Sequence, residues 1–265
     1  IVHSAHSCNL AEQWYGSRTA NDWMVIPLLR SPAGERDKPA LRKQLGLDVN
    51  DFVVCSFGFL GATKLNHRLL QAWLKSALTT DTSCHLIFVG ENPGGDYGAS
   101  LLNAIRASGL VGDRIRITGF ASPELFRQYL AVANLAVQLR TNSRGETSAA
   151  VLDCMNYGLP LIVNANGSMA ELDTESVYML PDEFDDDELT HALEVLWRDP
   201  GHRHSIGKRA SAIIHDRHAP EKCAGHYAAA IELFHQRSAT STPALINAIA
   251  FQENFAPDEP SLIRL

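Results

Sequence analysis

The chain has 265 residues, 45% hydrophobic and 20% charged, a balance that supports a buried core and excludes a disordered or fibrous protein. Its formal net charge of -7 argues against a nucleic-acid partner, whose phosphates need a basic face. Five cysteines, an odd number without a Cys-x-x-Cys pair, signal neither a disulfide framework nor a zinc site; with no apolar run of the roughly eighteen residues that reads as a membrane helix, the sequence reads as soluble and cytoplasmic.

Residues 1–4 read as strand, 10–15 as a short helix and 23–27 as an extended stretch closed by Pro27. The opening Ile-Val-His-Ser lacks an initiating Met and suggests a piece of a longer protein. Residues 31–38, with Pro32 and Gly34, read as a linker. A regular alternation then begins: strand 52–57, a glycine loop, helix 66–79, and strand 85–89 ending at Gly90. It continues through helix 99–108, strand 114–118, helix 122–133, strand 135–139, helix 148–157 and strand 159–164. Strands that are apolar throughout, separated by helices, predict an α/β fold with a doubly wound, Rossmann-like parallel sheet. After 177–180 the chain turns helical at 186–198, 201–215 and 221–236, and the acidic run 185–188 suits the start of the first of these helices. The Ser/Thr-rich stretch 238–243 predicts a break, and 244–255 a docking helix or connector. The predicted organisation is the end of a preceding domain and an interdomain connector over 1–38, a Rossmann-like domain over 39–237 and a C-terminal connector or docking helix over 238–265.

In an open parallel sheet, ligands sit beyond the carboxyl ends of the strands. Four loops there are informative. In 58–64, Gly58 and Gly61 let backbone approach a ligand and Lys64 can neutralise a phosphate, although neither the Walker spacing nor the Gly-x-Gly-x-x-Gly fingerprint is present. In 119–124, Gly119 and the Phe120 ring can hold a base. The segment 144–160 is the most informative. Thr147 and Ser148 can cap a helix and leave N–H groups free for a diphosphate, and Glu146 can accept from sugar hydroxyls. Arg140 and Arg144 can add positive charge or serve as surface ion pairs. Asp153, set among Val151, Leu152, Cys154 and Met155, needs donors: ribose hydroxyls, backbone groups or an arginine. In 166–171, Gly167 and Glu171 open a short helix suited to a polar ligand. His202, His204, His215 and His218 read as surface residues without metal partners.

The order Gly58, Lys64, Gly119, Glu146, then Leu152-Asp153-Cys154-Met155-Asn156-Tyr157-Gly158-Leu159-Pro160, then Asn166-Gly167-Ser168 with Glu171 resembles the C-terminal, donor-binding domain of GT-B glycosyltransferases, in particular the large retaining family 4. The resemblance spans roughly residues 50–235. It implies that Lys64 and an arginine bind the donor diphosphate, that Asp153 binds ribose, and that Glu146 touches the transferred sugar, with Lys64 and Glu146 as the catalytic pair. Phe59 stands where the family has an arginine, leaving Arg140 or Arg144 to supply that charge, and Glu146 and Asp153 stand one residue closer than the family's acidic pair.

The resemblance further implies metal-independent transfer from a UDP- or GDP-sugar to a glycan or lipid-linked acceptor in bacterial surface polysaccharide synthesis, with no cofactor beyond the donor. The acceptor would be held by an N-terminal domain, without which the chain would turn over little. A cytoplasmic enzyme follows, with room for peripheral association of the full-length protein at the inner face of the membrane. A sugar-nucleotide epimerase of the same architecture and a non-catalytic nucleotide or carbohydrate-binding module stand as alternatives.

Overall fold

Runs of β-branched and aromatic residues with side chains alternating between two apolar faces form the strands. They are β1 (Phe52–Phe57), β2 (Cys84–Val89), β3 (Ile115–Ile117), β4 (Leu135–Gln138), β5 (Leu161–Asn164) and β6 (Tyr178–Leu180). β1 and β2 are buried at every position, which requires helices on both faces of the sheet. The computed structural model describes the backbone of residues 1–250 and the side chains of 1–237. All strand pairs are parallel, in the order β3-β2-β1-β4-β5-β6. Val54 of β1 lies in register with Leu86 of β2 on one side and Leu135 of β4 on the other. The direction of winding therefore reverses between β1 and β4, where such sheets open a crevice.

The helices are α1 (Ala5–Tyr15), α2 (Lys38–Gln44), α3 (Asn66–Lys75), α4 (Gly95–Ala107), α5 (Pro123–Val132), α6 (Ala149–Asn156), α7 (Asp186–Arg198), α8 (Pro200–Arg217) and α9 (Pro220–Ala250). On one face, Leu69, Leu70 and Trp73 of α3 and Leu189 and Leu193 of α7 pack with Val54, Leu86 and Phe88. On the other, Tyr129 of α5, Met155 of α6 and Ile214 of α8 pack with Val53, Cys55 and Ile87. Residues 1–223 form one compact unit; a second, from Ala224, continues α9 to Ala250.

Several expected boundaries move, each for a local reason. α1 starts at Ala5 rather than near residue 10, because the Ser4 hydroxyl accepts from the Ser7 N–H at 3.3 Å and caps it. The strand expected over 1–4 is accordingly reduced to one bridge between Val2 and Val25. The linker 31–38 runs into α2, a helix absent from the sequence reading, capped by Asp37 with Pro39 in its first turn. α3 ends at Lys75, and a separate 3-10 turn covers Ala77–Thr80. α9 passes through 238–243 without the expected break. The docking role expected of 244–255 concerns side chains outside the described residues, as does the whole of 251–265.

The acidic run does more than favour a helix dipole. Asp185 and Glu188 form a reciprocal capping box at the start of α7, while Asp186 pairs with Arg68 at 2.6 Å and Asp187 pairs with Lys75. These contacts tie α7 to α3. Among the described residues no helix is long and apolar enough to cross a membrane.

Candidate functional site

The loops leaving β1 and β4 meet at the winding reversal, where the Thr141 N–H donates to the Thr63 carbonyl at 2.9 Å. Between them lies a cavity of about 250 Å³ lined by Lys64, Gln138, Leu139, Arg140, Thr147, Ser148, Ala149, Ala150 and Met169. Lys64 and Thr147, 83 positions apart in the chain, thus face the same space.

Lys64 closes a short 3-10 turn, Ala62–Lys64. Its ammonium lies over Gly58, which holds φ at +96°; a Cβ at Gly58 would stand 2.6 Å from Lys64 Nζ. That close approach, together with the left-handed backbone, is what the glycine permits. Burial, reinforced by the Arg140 charge, pushes the Lys64 ammonium down to about 8. Among the described residues no carboxylate pairs with it. A half-buried cation facing a second cation is a costly arrangement that a bound anion would relieve.

Arg140 is placed by a residue that the sequence reading missed. Asn164, fully buried at the end of β5, accepts from the Arg140 N–H at 2.8 Å and donates to the Arg140 carbonyl at 2.8 Å. A lone amide ending an apolar strand was the available signal. Asn66 acts similarly on the other loop, accepting from the Gly61 N–H at 2.9 Å.

The start of α6 supplies further donors. Ser148 caps the helix by accepting from the Val151 N–H at 3.4 Å, and the Ala149 and Ala150 N–H groups belong to the first turn, which has no intrahelical acceptor. Thr147 Oγ1 is buried without a partner. Positive charge, free N–H groups and an unused hydroxyl therefore converge on one small space, a composition suited to phosphate oxygens.

Glu146 borders this group. Its carboxylate pairs with Arg140 Nη1 at 2.8 Å and accepts from the Arg144 N–H at 2.7 Å. Burial raises its pKa, but the N–H groups of Glu146 and Arg144 and the Arg140 and Arg144 charges outweigh that and hold it below the usual range. Ser168 donates to the Glu146 carbonyl at 3.0 Å and fixes the loop from the following connection.

Asp153 has a partner, and it is an arginine held as an ion pair. Arg30 Nε lies 2.8 Å from Asp153 Oδ1, and Arg30 Nη2 donates to the Ala149 carbonyl at 3.0 Å. Burial pushes the Asp153 carboxyl up while Arg30 opposes the shift. Asp153 does not line the cavity beside Lys64, and its first task in this structure is to fasten the N-terminal segment to α6. Replacing Arg30 with Ala should leave the half-buried acid without its cation and lower stability by about 1–2 kcal/mol, read from the urea midpoint. An unchanged midpoint would reduce the pair to a surface contact.

Other expected residues lie apart. Phe120, 76% exposed, follows edge strand β3 and is outside the cavity. A Cβ at Gly61 would meet open space, so nothing within the fold demands glycine there. The Arg144 side chain lines a separate cavity of about 450 Å³ with Trp14, Tyr15 and Trp23. Glu171 accepts from the Ala5 N–H at 3.2 Å and from the His6 N–H, so it caps α1 instead of facing the Lys64 cavity. His202, His204 and His215 are exposed as expected, whereas His218 is half-buried and its ring bonds the Leu28 carbonyl at 2.9 Å. All five cysteines are free.

Residues 37–212 match the family model for glycosyl transferases group 1. No curated protein sequence matches the chain significantly. Among solved structures, Anabaena HepE in complex with UDP superposes with a TM-score of 0.76 at 23% identity, over 88% of this chain and 63% of that one. Sucrose-phosphate synthase from Thermosynechococcus elongatus gives 0.73 at 21% identity, over 91% of this chain and 58% of that one. The C-terminal domain of the group 1 glycosyl transferase LpcC from Francisella tularensis gives 0.61 at 16%, over 70% of this chain and 95% of that domain. The chain thus spans less than two thirds of the length of HepE, and these likenesses establish the fold.

Proposed function

The chain belongs to the glycosyl transferases group 1 family, and from that premise we propose that it forms the donor-binding part of a retaining, family 4-like glycosyltransferase of GT-B architecture. The cavity at the winding reversal carries the reading, because Lys64, Arg140, Thr147 and the first turn of α6 converge there. HepE is described in complex with UDP and with UDP-glucose, and a uridine or guanosine diphosphate sugar is the donor class proposed here.

In this reading the diphosphate sits between Lys64 and the start of α6. As the glycosidic bond to the diphosphate breaks, negative charge grows on the leaving oxygen. Lys64, Arg140 and the Ala149 and Ala150 N–H groups lie ready to stabilise that charge without a metal ion, as preorganised donors do at an oxyanion site. Glu146, anchored beside Arg140, would accept from hydroxyls of the transferred sugar. The acceptor, a glycan or lipid-linked saccharide of bacterial surface polysaccharide synthesis, would be presented by a further domain. The chain by itself is then a binding unit with little turnover, in a cytoplasmic enzyme working at the inner membrane face.

Calorimetric titration of the chain with UDP, GDP, UDP-glucose and NAD tests this. Saturable binding of a nucleoside diphosphate at about 10–1000 μM, with none for NAD, is expected; absence of heat with every diphosphate would overturn the assignment. For the complete enzyme, product analysis with labelled nucleotide sugar should show a new glycosidic bond of retained configuration and no epimer.

A further inference from the structure

A larger cavity, of about 710 Å³, lies at the opposite edge of the sheet, lined by Ala133 and Asn134 ahead of β4, Leu159 and Pro160 ahead of β5, and one face of α8. Its volume falls within the range of small-molecule sites. Its formal charge is one-sided: Lys38, Arg203 and Lys208 line it beside His204 and His215, and no carboxylate does. This stands against a chain whose net charge is -7.

Chance placement of basic residues on a solvated helix face normally brings acids between them, as at Arg209, which pairs with Asp173 at 2.7 Å. Lys38 and Lys208 have no such partner among the described residues. Arg203 is fixed in place, donating to the Trp197 carbonyl at 2.8 Å with its guanidinium over the Phe52 ring. Arg203 is thus engaged within the fold, and Lys38 and Lys208 are the cations left without an acidic partner among the described residues.

A second observation adds a hydroxyl to the ligand. An adjoining cavity of about 460 Å³ shares Lys38, Tyr157, Ser211 and His215 with the first and is also lined by Asn156. Asn156 is 94% buried, since its relative exposure is 6%. Its Nδ2 donates to the Ser31 carbonyl at 2.9 Å, but its Oδ1 is buried with no donor. A buried acceptor without a partner is costly, and a ligand hydroxyl would supply the missing bond. The one acid of this adjoining space, Glu35, can likewise accept from hydroxyls.

We propose that this double cavity binds a phosphorylated polyol such as a sugar phosphate, with the phosphate held by Lys38 and Lys208 and the hydroxyls directed toward Asn156. The site is separate from the nucleotide cavity, which lies at the carboxyl ends of the strands, and the proposal does not depend on the glycosyl-transfer reading.

The test uses the whole chain carrying Lys64→Met, so that the other cavity contributes little phosphate binding. Titration with glucose 6-phosphate, followed by calorimetry and by amide shifts at Lys208 and Ser211, should saturate in the range of about 0.1–1 mM. Inorganic phosphate should bind more weakly and glucose not at all. Lys38→Glu with Lys208→Glu should weaken glucose 6-phosphate at least about tenfold, because attraction becomes repulsion. Asn156→Ala should reduce the preference of glucose 6-phosphate over inorganic phosphate. No saturation by about 10 mM, or unchanged affinity in the charge-reversed chain, overturns the proposal. So does charge-dependent sedimentation with phosphatidylglycerol vesicles when the soluble phosphates fail, since the cations would then serve a membrane surface.

Discussion

Replacing Lys64 with Met should weaken UDP binding by about tenfold to a hundredfold while making the empty protein more stable. The first effect follows from the loss of a charge-assisted contact to the diphosphate, worth about 1.5–3 kcal/mol. The second follows from the empty site. Lys64 falls from 10.5 to about 8 on folding because it is partly withdrawn from water beside Arg140, with no carboxylate to pair with among the described residues. A group whose folded value lies below its unfolded value has a charged form that the fold disfavours. The resulting cost is fully present below about pH 8 and disappears as pH rises toward 10.5. At neutral pH, removing the charge should therefore raise stability by about 1–2 kcal/mol after allowance for the part of the side chain still in water. Urea unfolding and UDP titration of the same variant provide the check. A variant that loses stability as well as affinity would mean that Lys64 is structural. In the unaltered chain, UDP affinity should fall as pH rises above 8, because the ammonium is then lost.

The second large effect is expected at Gly90, just beyond β2. A Cβ there would lie 2.1 Å from the Gly58 carbonyl oxygen and 2.6 Å from the Gly58 carbonyl carbon. Both are backbone atoms of the loop that cradles Lys64, so no side chain can rotate away. Gly90→Ala should cost about 3 kcal/mol as the strand end and the loop are forced apart. UDP binding should weaken with it, since Lys64 moves with Gly58. Gly61→Ala is the control within the same loop. Its Cβ would meet open space and its φ of -176° is extended backbone that any residue adopts, so stability should change by less than about 0.5 kcal/mol. If Gly90→Ala and Gly61→Ala unfold at the same urea concentration, the close approach is not limiting.

The sheet was legible because burial on both faces leaves a direct mark in sequence: β1 and β2 are buried at every position and apolar except at Ser56 and His85, a pattern that favours a parallel arrangement. The hydroxyl cap at Ser148 was legible for the same local reason, whereas the acidic run marked the start of α7 without revealing its capping box. The family resemblance carried by Leu152 to Pro160 agreed with the matched model and with the fold. Less was legible where a helix start depends on one capping contact. Ser4 extended α1 toward the amino end, and Asp37 started α2 at the end of an expected linker.

What the sequence by itself determined, then, is the class of fold and the place, beyond the carboxyl ends of β1 and β4, of the loops that carry Lys64, Arg140, Glu146 and Thr147. Those properties depend on residues close together in the chain, whose preferences act within a turn or a strand. Only the tertiary structure decided which charges meet. Arg30 reaches Asp153 across 123 positions, Asn164 sets Arg140 from the next strand, and Gly90 makes room for Gly58. Pairings of that kind depend on strand order, which carries residues distant in sequence to the same sheet edge and leaves no periodic mark along the chain.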